Sequence, residues 1–293
     1  MASVTRPCVL VFAGHDPGGG AGIQADIEAI AAQGAHALPV ITALTVQDND
    51  HVYAVHAVDA QIILQQAMTL IAKMPIAAIK IGIVAHGKNA AAIASVIQKI
   101  QLRQAGLPVV LDPVLGSGNG DALALDDAVA SLQPLLKVAT LITPNLPEAR
   151  RLAPLAQDAR AQAYALLAYR CKDVLIKGGH SSDKRVCNLW FGESGQRDWQ
   201  WPRLQGEFHG SGCTLASAIA AQLALGKDMA SSLQLAQEYS QRSLQSAYSI
   251  AKGQLIPLRH FLRTHAKPPQ CCCAALSYRC TVCGGTPNWD SFA

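Results

Sequence analysis

The chain has 293 residues and a net charge of +4, and half of it is hydrophobic although only 5% is aromatic. That length suits one large α/β domain or two smaller ones with a substantial core. The mild charge, without a basic stripe interleaved with aromatics, argues against nucleic-acid binding, and no apolar run approaches the roughly 18 residues of a membrane span.

Taken in chain order, short β-rich runs alternate with longer Ala-, Leu- and Gln-rich stretches. The first run, "CVLVFAG" at 8–14, lacks the cleavage pattern of a signal peptide, so a cytoplasmic protein is expected. Helical spacing over 21–33, a strand over 37–46, a helix over 59–73, a strand over 77–84 and a helix over 88–103 follow. A strand at 108–114, a helix at 124–136, a strand at 140–145, a helix at 159–170 and a strand at 173–179 continue the alternation. "RVCNLWFG" and "RDWQWPRL" flank "ESGQ" and predict an antiparallel hairpin over 186–204, with helices over 212–224 and 228–249 after it. This pattern implies an α/β protein: a three-layer α/β/α sandwich around a mainly parallel sheet.

No linker or repeat interrupts residues 1–265, which read as one domain; residues 266–293 carry no period, begin after a Lys with a Pro pair, and read as a disordered, Cys-rich tail. Five of the nine cysteines fall there, but "CCC" and "CTVC" are a weak signal for a zinc site, which wants four well-spaced ligands. Cys8, Cys171, Cys187 and Cys213 lie scattered in element-like segments, as in a reducing compartment.

Open α/β sheets bind ligands outside the carboxyl ends of their strands. The predicted strand ends carry Gly14-His15-Asp16, Gln47-Asp48-Asn49, Gly82, Asp112-Pro113, Asn145 with Glu148, and Lys177-Gly178-Gly179-His180. Any one of these reads equally well as an ordinary turn; six in succession make a polar edge. Neither a P-loop nor a dinucleotide fingerprint is present, so a phosphate needs another cradle. "HGSGCTLASAIAA", from His209, supplies one: a glycine turn opening a helix aims the amides of Gly210, Ser211, Gly212 and Cys213 at an anion. The helix dipole contributes about 0.3–1 kcal/mol, whereas catalysis needs about 8 kcal/mol or more, so a cation, a metal and a base must assist. Phosphoryl transfer uses those parts. Lys177 suits phosphate oxygens; Asn145, Glu148 and Asp112 suit Mg²⁺; and Cys213, its thiol made acidic by the helix N-terminus, suits the base.

Seven ordered stretches, "AGHDPGGGAGIQAD", "VITALTVQ", "KIGIV", "VVLDPV", "LITPNLPEA", "LIKGGH" and "HGSGCTLASAIAA", resemble the bacterial hydroxymethylpyrimidine and phosphomethylpyrimidine kinases of thiamine biosynthesis. The resemblance spans roughly 8–262 and implies a ribokinase-like fold. It implies ATP- and Mg²⁺-dependent phosphorylation of 4-amino-5-hydroxymethyl-2-methylpyrimidine and then of its monophosphate, in a homodimer. It also implies Cys213 as base, the Gly210–Cys213 amides as anion hole, and Gln47, Asp26, Gly14 and Ile83 at the pyrimidine. Lys177, Asn145 and Glu148 would meet ATP, with Glu148 and Asp112 at the metal. Ser211, Ile83 and the run Gly18 to Gly20 depart from the family's usual threonine, methionine and serine. Pyridoxal kinase, and a silent pyrimidine or nucleotide sensor, are the alternatives.

Overall fold

The first strand, β1 (Cys8–His15), is apolar on both faces: Leu10 and Phe12 enter one core, while Val9 and Val11 are equally buried but outside it. An uninterrupted apolar run of this kind belongs to a strand covered on both sides. The computed structural model describes residues 5–118, 120–169, 171–181 and 183–260, and the expected tail and its boundary at 265 lie outside them.

After β1 come α1 (Gly22–Ala32), β2 (His36–Gln47), β3 (Val52–Ala57), α2 (Ala60–Lys73), β4 (Ile76–Ile81), α3 (Gly87–Gln101), β5 (Val109–Leu111) and α4 (Ala128–Leu136). Then follow β6 (Leu141–Ile142), α5 (Leu146–Leu152), α6 (Ala159–Leu167), β7 (Asp173–Ile176), β8 (Arg185–Gly192), β9 (Gly195–Pro202), α7 (Ser211–Ala224) and α8 (Met229–Gln245). Among the described residues the nine strands form one sheet in the order β3-β2-β1-β4-β5-β6-β7-β8-β9. The six from β2 to β7 in that order run parallel, and β3, β8 and β9 are antiparallel at the two ends. The hairpin is as expected, closed by a two-residue turn between Gly192 and Gly195.

Two layers of helices cover the sheet. Ile63 of α2, Ile93 of α3, Leu135 of α4, Leu152 of α5 and Leu166 of α6 share one core with Leu10 and Phe12. On the opposite face α7 packs on β4 and β5, flanked by α1 and α8. Ala216, Ala218, Ala220 and Ala221 are almost or fully buried, and their small side chains let α7 approach the sheet closely. Each fully buried Leu, Ile or Phe contributes about 1.5–3 kcal/mol.

Two elements were not expected. Strand β3 lies on the sheet edge, where "VYAVHA" is half exposed, and α5 begins at a proline-containing turn. Conversely β5 and β6 are shorter than their apolar runs, because Pro113 and Pro144 follow the strand ends after one intervening residue and donate no ladder bond.

Candidate active site

All six parallel strands end on one side, and the polar residues expected there meet the N-terminus of α7. Gly210, just before that helix, has φ +77°, and a Cβ on it would lie 2.1 Å from the Gly20 carbonyl oxygen. Gly22 has φ +52°, and its Cβ would lie 2.2 Å from the Gly14 oxygen. Only glycine fits at either point, so the 14–22 loop and the 209–212 turn interlock through backbone.

Side chains reinforce the lock. Asp16 accepts from the Gly18 and Ala21 amides, both at 2.8 Å, and its Oδ2 lies 2.8 Å from His209 Nε2. Burial pushes the Asp16 carboxyl up, but His209 and the two amides outweigh it and hold it below the usual carboxylate range. Arg259, almost fully buried, donates from Nε to Thr214 Oγ1 at 2.9 Å, from one terminal nitrogen to Glu28 at 3.1 Å, and from the other to the Gly20 carbonyl.

At the centre, Lys177 Nζ lies 2.6 Å from Asp112 Oδ1, which also accepts from Thr143 at 3.2 Å. A Cβ on Gly212 would sit 3.4 Å from Lys177 Nζ and 3.5 Å from Asp112 Oδ2, so the lack of one leaves the turn open to this pair. Asn145 and Glu148 cap α5 reciprocally: each backbone N–H donates to the other's side chain, at 2.7 and 2.8 Å. Burial pushes Glu148 up to about 7, with Lys177 opposing and Asp112 adding.

Cys213, in the first turn of α7, is partly exposed. Burial pushes its thiol up, against the pull of Lys80 and despite the helix N-terminus; Asp26 and Asp112 add to the rise, and the Gly22 amide opposes it. The acidic thiol expected from the helix end is therefore not what the structure shows: desolvation of the anion outweighs the amides. Asp26, expected to line the pyrimidine pocket, lies in the interior with its oxygens already paired. Asp26 is fully buried, with its oxygens taken by Lys80 at 2.7 and 2.9 Å and by Ser217 at 2.6 Å. Gly14 and Ile83 do come together, 3.7 Å apart at the position of a Gly14 Cβ. The half-buried Gln47 ends β2 on the same side of the sheet.

A cleft of about 500 Å³ is lined by Lys177, Ser211 and Gly212 together with the apolar Trp201, Leu215 and Leu244. That volume suits a nucleotide-sized ligand, with the anion at the helix end.

A family model described as phosphomethylpyrimidine kinase matches residues 16–257. The chain belongs to that family. This kinase is 38% identical to the hydroxymethylpyrimidine/phosphomethylpyrimidine kinase of Mycobacterium tuberculosis over 257 residues, 85% of this chain and 92% of the relative. It is similar to a solved phosphomethylpyrimidine kinase from Clostridium difficile, with a TM-score of 0.70 and 30% identity across 82% of this chain and 100% of that one. A pyridoxal kinase from Staphylococcus aureus, solved with AMP-PCP and pyridoxal, shares the fold with a TM-score of 0.75 and 24% identity, covering 87% of this chain and 94% of that one. The sandwich is the ribokinase-like fold, and the protein is a phosphotransferase.

In the kinase, Lys177, Ser211 and Gly212 line the cleft, Asp112 and Glu148 stand beside Lys177, and Asn145 with Glu148 forms the α5 cap next to them. No group of three or more His, Cys, Asp or Glu suited to a resident metal occurs among the described residues. Two neighbouring carboxylates do occur, and Mg²⁺ characteristically takes one or two such oxygens and completes its shell from phosphates and water. The donor set therefore fits a magnesium ion brought with a nucleotide. Sequence reasoning missed Lys80, Arg259 and the Asp16–His209 pair. Only Lys80 left a signal, a lone charge inside the apolar run "AAIKIGIV".

Proposed function

We propose that this kinase transfers the γ-phosphoryl group of ATP to the 5-hydroxymethyl group of 4-amino-5-hydroxymethyl-2-methylpyrimidine, and a second to the resulting monophosphate, to supply the diphosphate for thiamine biosynthesis. One observation carries the reading: the glycine turn of α7 opens towards Lys177 and Asp112, with Cys213 in the same helical turn. The amides of Gly210 to Cys213 hold the transferred group at the helix N-terminus, and Lys177 leaves Asp112 to meet the phosphate oxygens. The Cys213 thiolate takes the hydroxyl proton, the hydroxyl oxygen bonds to the γ-phosphorus, the bond from that phosphorus to the β-bridging oxygen breaks, and ADP departs. Asp112 and Glu148 would hold Mg²⁺, directly or through water, and the ion would spread the phosphate charge. Gln47, whose amide both donates and accepts, matches an aminopyrimidine edge beside Gly14 and Ile83. The kinase works as a cytoplasmic homodimer; among the described residues no helix is long and apolar enough to cross a membrane.

The test is ADP release with hydroxymethylpyrimidine, its monophosphate and pyridoxal side by side, with products identified by mass. Formation of the pyrimidine diphosphate supports the proposal, and preference for pyridoxal overturns it. Cys213→Ala is expected to lower kcat at least 100-fold, the scale of a lost general base, while the KM for ATP stays unchanged. Near-normal kcat would remove Cys213 from the mechanism. Because the thiol is held above its ordinary value, the parent kcat should keep rising with pH through about 9.

A further inference from the structure

Lys80 places a charge in a strand that is buried on both faces. Its neighbours Ile79 and Ile81 fill one core, and its own fully buried side chain turns to the other layer. Buried ion pairs are often no more stabilising than apolar residues of the same shape, so packing does not account for the Lys80–Asp26 pair. The surrounding geometry does. On α1, Gly22 and Asp26 are one turn apart on one face; on α7, Cys213 and Ser217 are spaced the same way. The faces meet at one rung, where Ser217 Oγ donates to Asp26 at 2.6 Å, and this places Gly22 and Cys213 at the neighbouring one. Lys80 Nζ lies at the Asp26–Ser217 rung, one helical turn from Cys213. It is tied to Asp26 at 2.7 and 2.9 Å, and a Cβ on Gly82 would lie 2.9 Å from it, so the ammonium reaches forward to the carboxyl edge of β4.

We propose that Lys80 is a positioning residue for phosphoryl transfer: its ammonium, anchored by Asp26, supplies the positive charge beside Cys213 that favours the thiolate. The proposal rests on the reading of Cys213 as base. The groups facing Cys213 are Asp26 and the Gly22 amide from α1, Lys80 from β4, Asp112 after β5 and Lys177 after β7. Lys177 is committed to Asp112 and, during turnover, to phosphate. Lys80 is fully buried, and Asp26 with Cys213 and Asp112 keeps it charged against the cost of that burial. Its charge therefore stays with the thiol through the whole cycle.

The experiment is alkylation of the full-length protein by iodoacetamide from pH 7 to 10, with Cys213 separated from the other cysteines by peptide mass, alongside the pH profile of kcat. Lys80→Met removes the charge. The double variant Lys80→Met, Asp26→Asn removes it without stranding a buried carboxylate and keeps an acceptor for Ser217. Because the Asp26 carboxylate itself raises the thiol, Lys80→Met is compared with the parent and the double variant with Asp26→Asn alone. In each comparison the loss of Lys80 is expected to slow alkylation of Cys213 at pH 8 about tenfold and to raise the midpoints of alkylation and of kcat by about one pH unit, with the KM for ATP unchanged. A folded double variant in which Cys213 alkylates with the pH dependence of Asp26→Asn would overturn the proposal, since a merely structural role lowers the melting temperature and leaves that profile in place. Alkylation needs no turnover, so its result stands even if Cys213→Ala shows that another group is the base.

Discussion

Glu148 shows how one residue serves stability and chemistry at different pH. Its carboxyl closes the α5 cap, yet burial pushes it up to about 7 from an ordinary 4.5. Between those two values the folded chain binds the proton that the unfolded chain has released, so this group withdraws stability as pH rises from about 4.5 to 7, and the loss is complete above 7. Glu148→Gln keeps an acceptor for the Asn145 amide but never ionises. In metal-free buffer the variant should match the parent near pH 4.5 and exceed it by on the order of 2 kcal/mol at pH 8, read by urea unfolding at the two pH values. Equal stability at both would mean that Glu148 is ionised in the fold at neutral pH. The same variant should need more Mg²⁺ for half-maximal rate, because a carboxylate proposed as its ligand is gone.

At the scale of elements, the junction of the 14–22 loop with the start of α7 is specified by glycines in two different ways. Gly210 combines φ +77° with a blocked Cβ, whereas Gly226, just past α7, has φ +81° and nothing within 4 Å. Gly226→Ala should cost only the backbone strain, about 1 kcal/mol, and leave kcat alone. Gly210→Ala adds a collision with the Gly20 carbonyl and moves the amides, so it should cost about 2 kcal/mol or more and lower kcat at least 100-fold. Similar losses of kcat in both variants would show that stability, not amide placement, governs the rate. This contrast also marks what the sequence carries. The turn before α7 was readable because a Gly-Ser-Gly run before an Ala-rich helix is a local pattern. The buried strands were readable because β1 is apolar on both faces and β4 is so except at Lys80. Strand β3 was not, since an edge strand half exposed to solvent lacks a long apolar run, and the NLPE stretch of Asn145 to Glu148 reads as a turn until its reciprocal cap is seen. Lys80 and Asp26 are 54 residues apart and Arg259 lies 239 residues from Gly20, so no spacing rule connects them.

On the scale of the whole molecule, the last described segment holds the site together. Leu255 bonds through its backbone to Glu207 and His209, at 2.8 and 2.9 Å, and Tyr239 of α8 donates to the Arg259 carbonyl at 2.9 Å. The Arg259 guanidinium then joins Gly20, Glu28 and Thr214, and Thr214 in turn donates to the Gly210 carbonyl at 2.8 Å. One side chain thus links α1, the loop before it and the first turn of α7. Arg259→Met fills much of the same space but leaves the Gly20 carbonyl buried without its donor, a loss of about 3–5 kcal/mol when the charged bonds are included. Because the two glycine segments are located by this link while Trp201 and Leu244 of the cleft lining are not, kcat should fall at least tenfold with the KM for ATP changed less than twofold. Arg259→Lys should not restore it, since a single ammonium cannot span three acceptors that a planar fork reaches together. Steady-state kinetics beside urea unfolding checks this, and recovery of kcat by lysine would show that charge near Glu28, not the three-way link, is what the site requires.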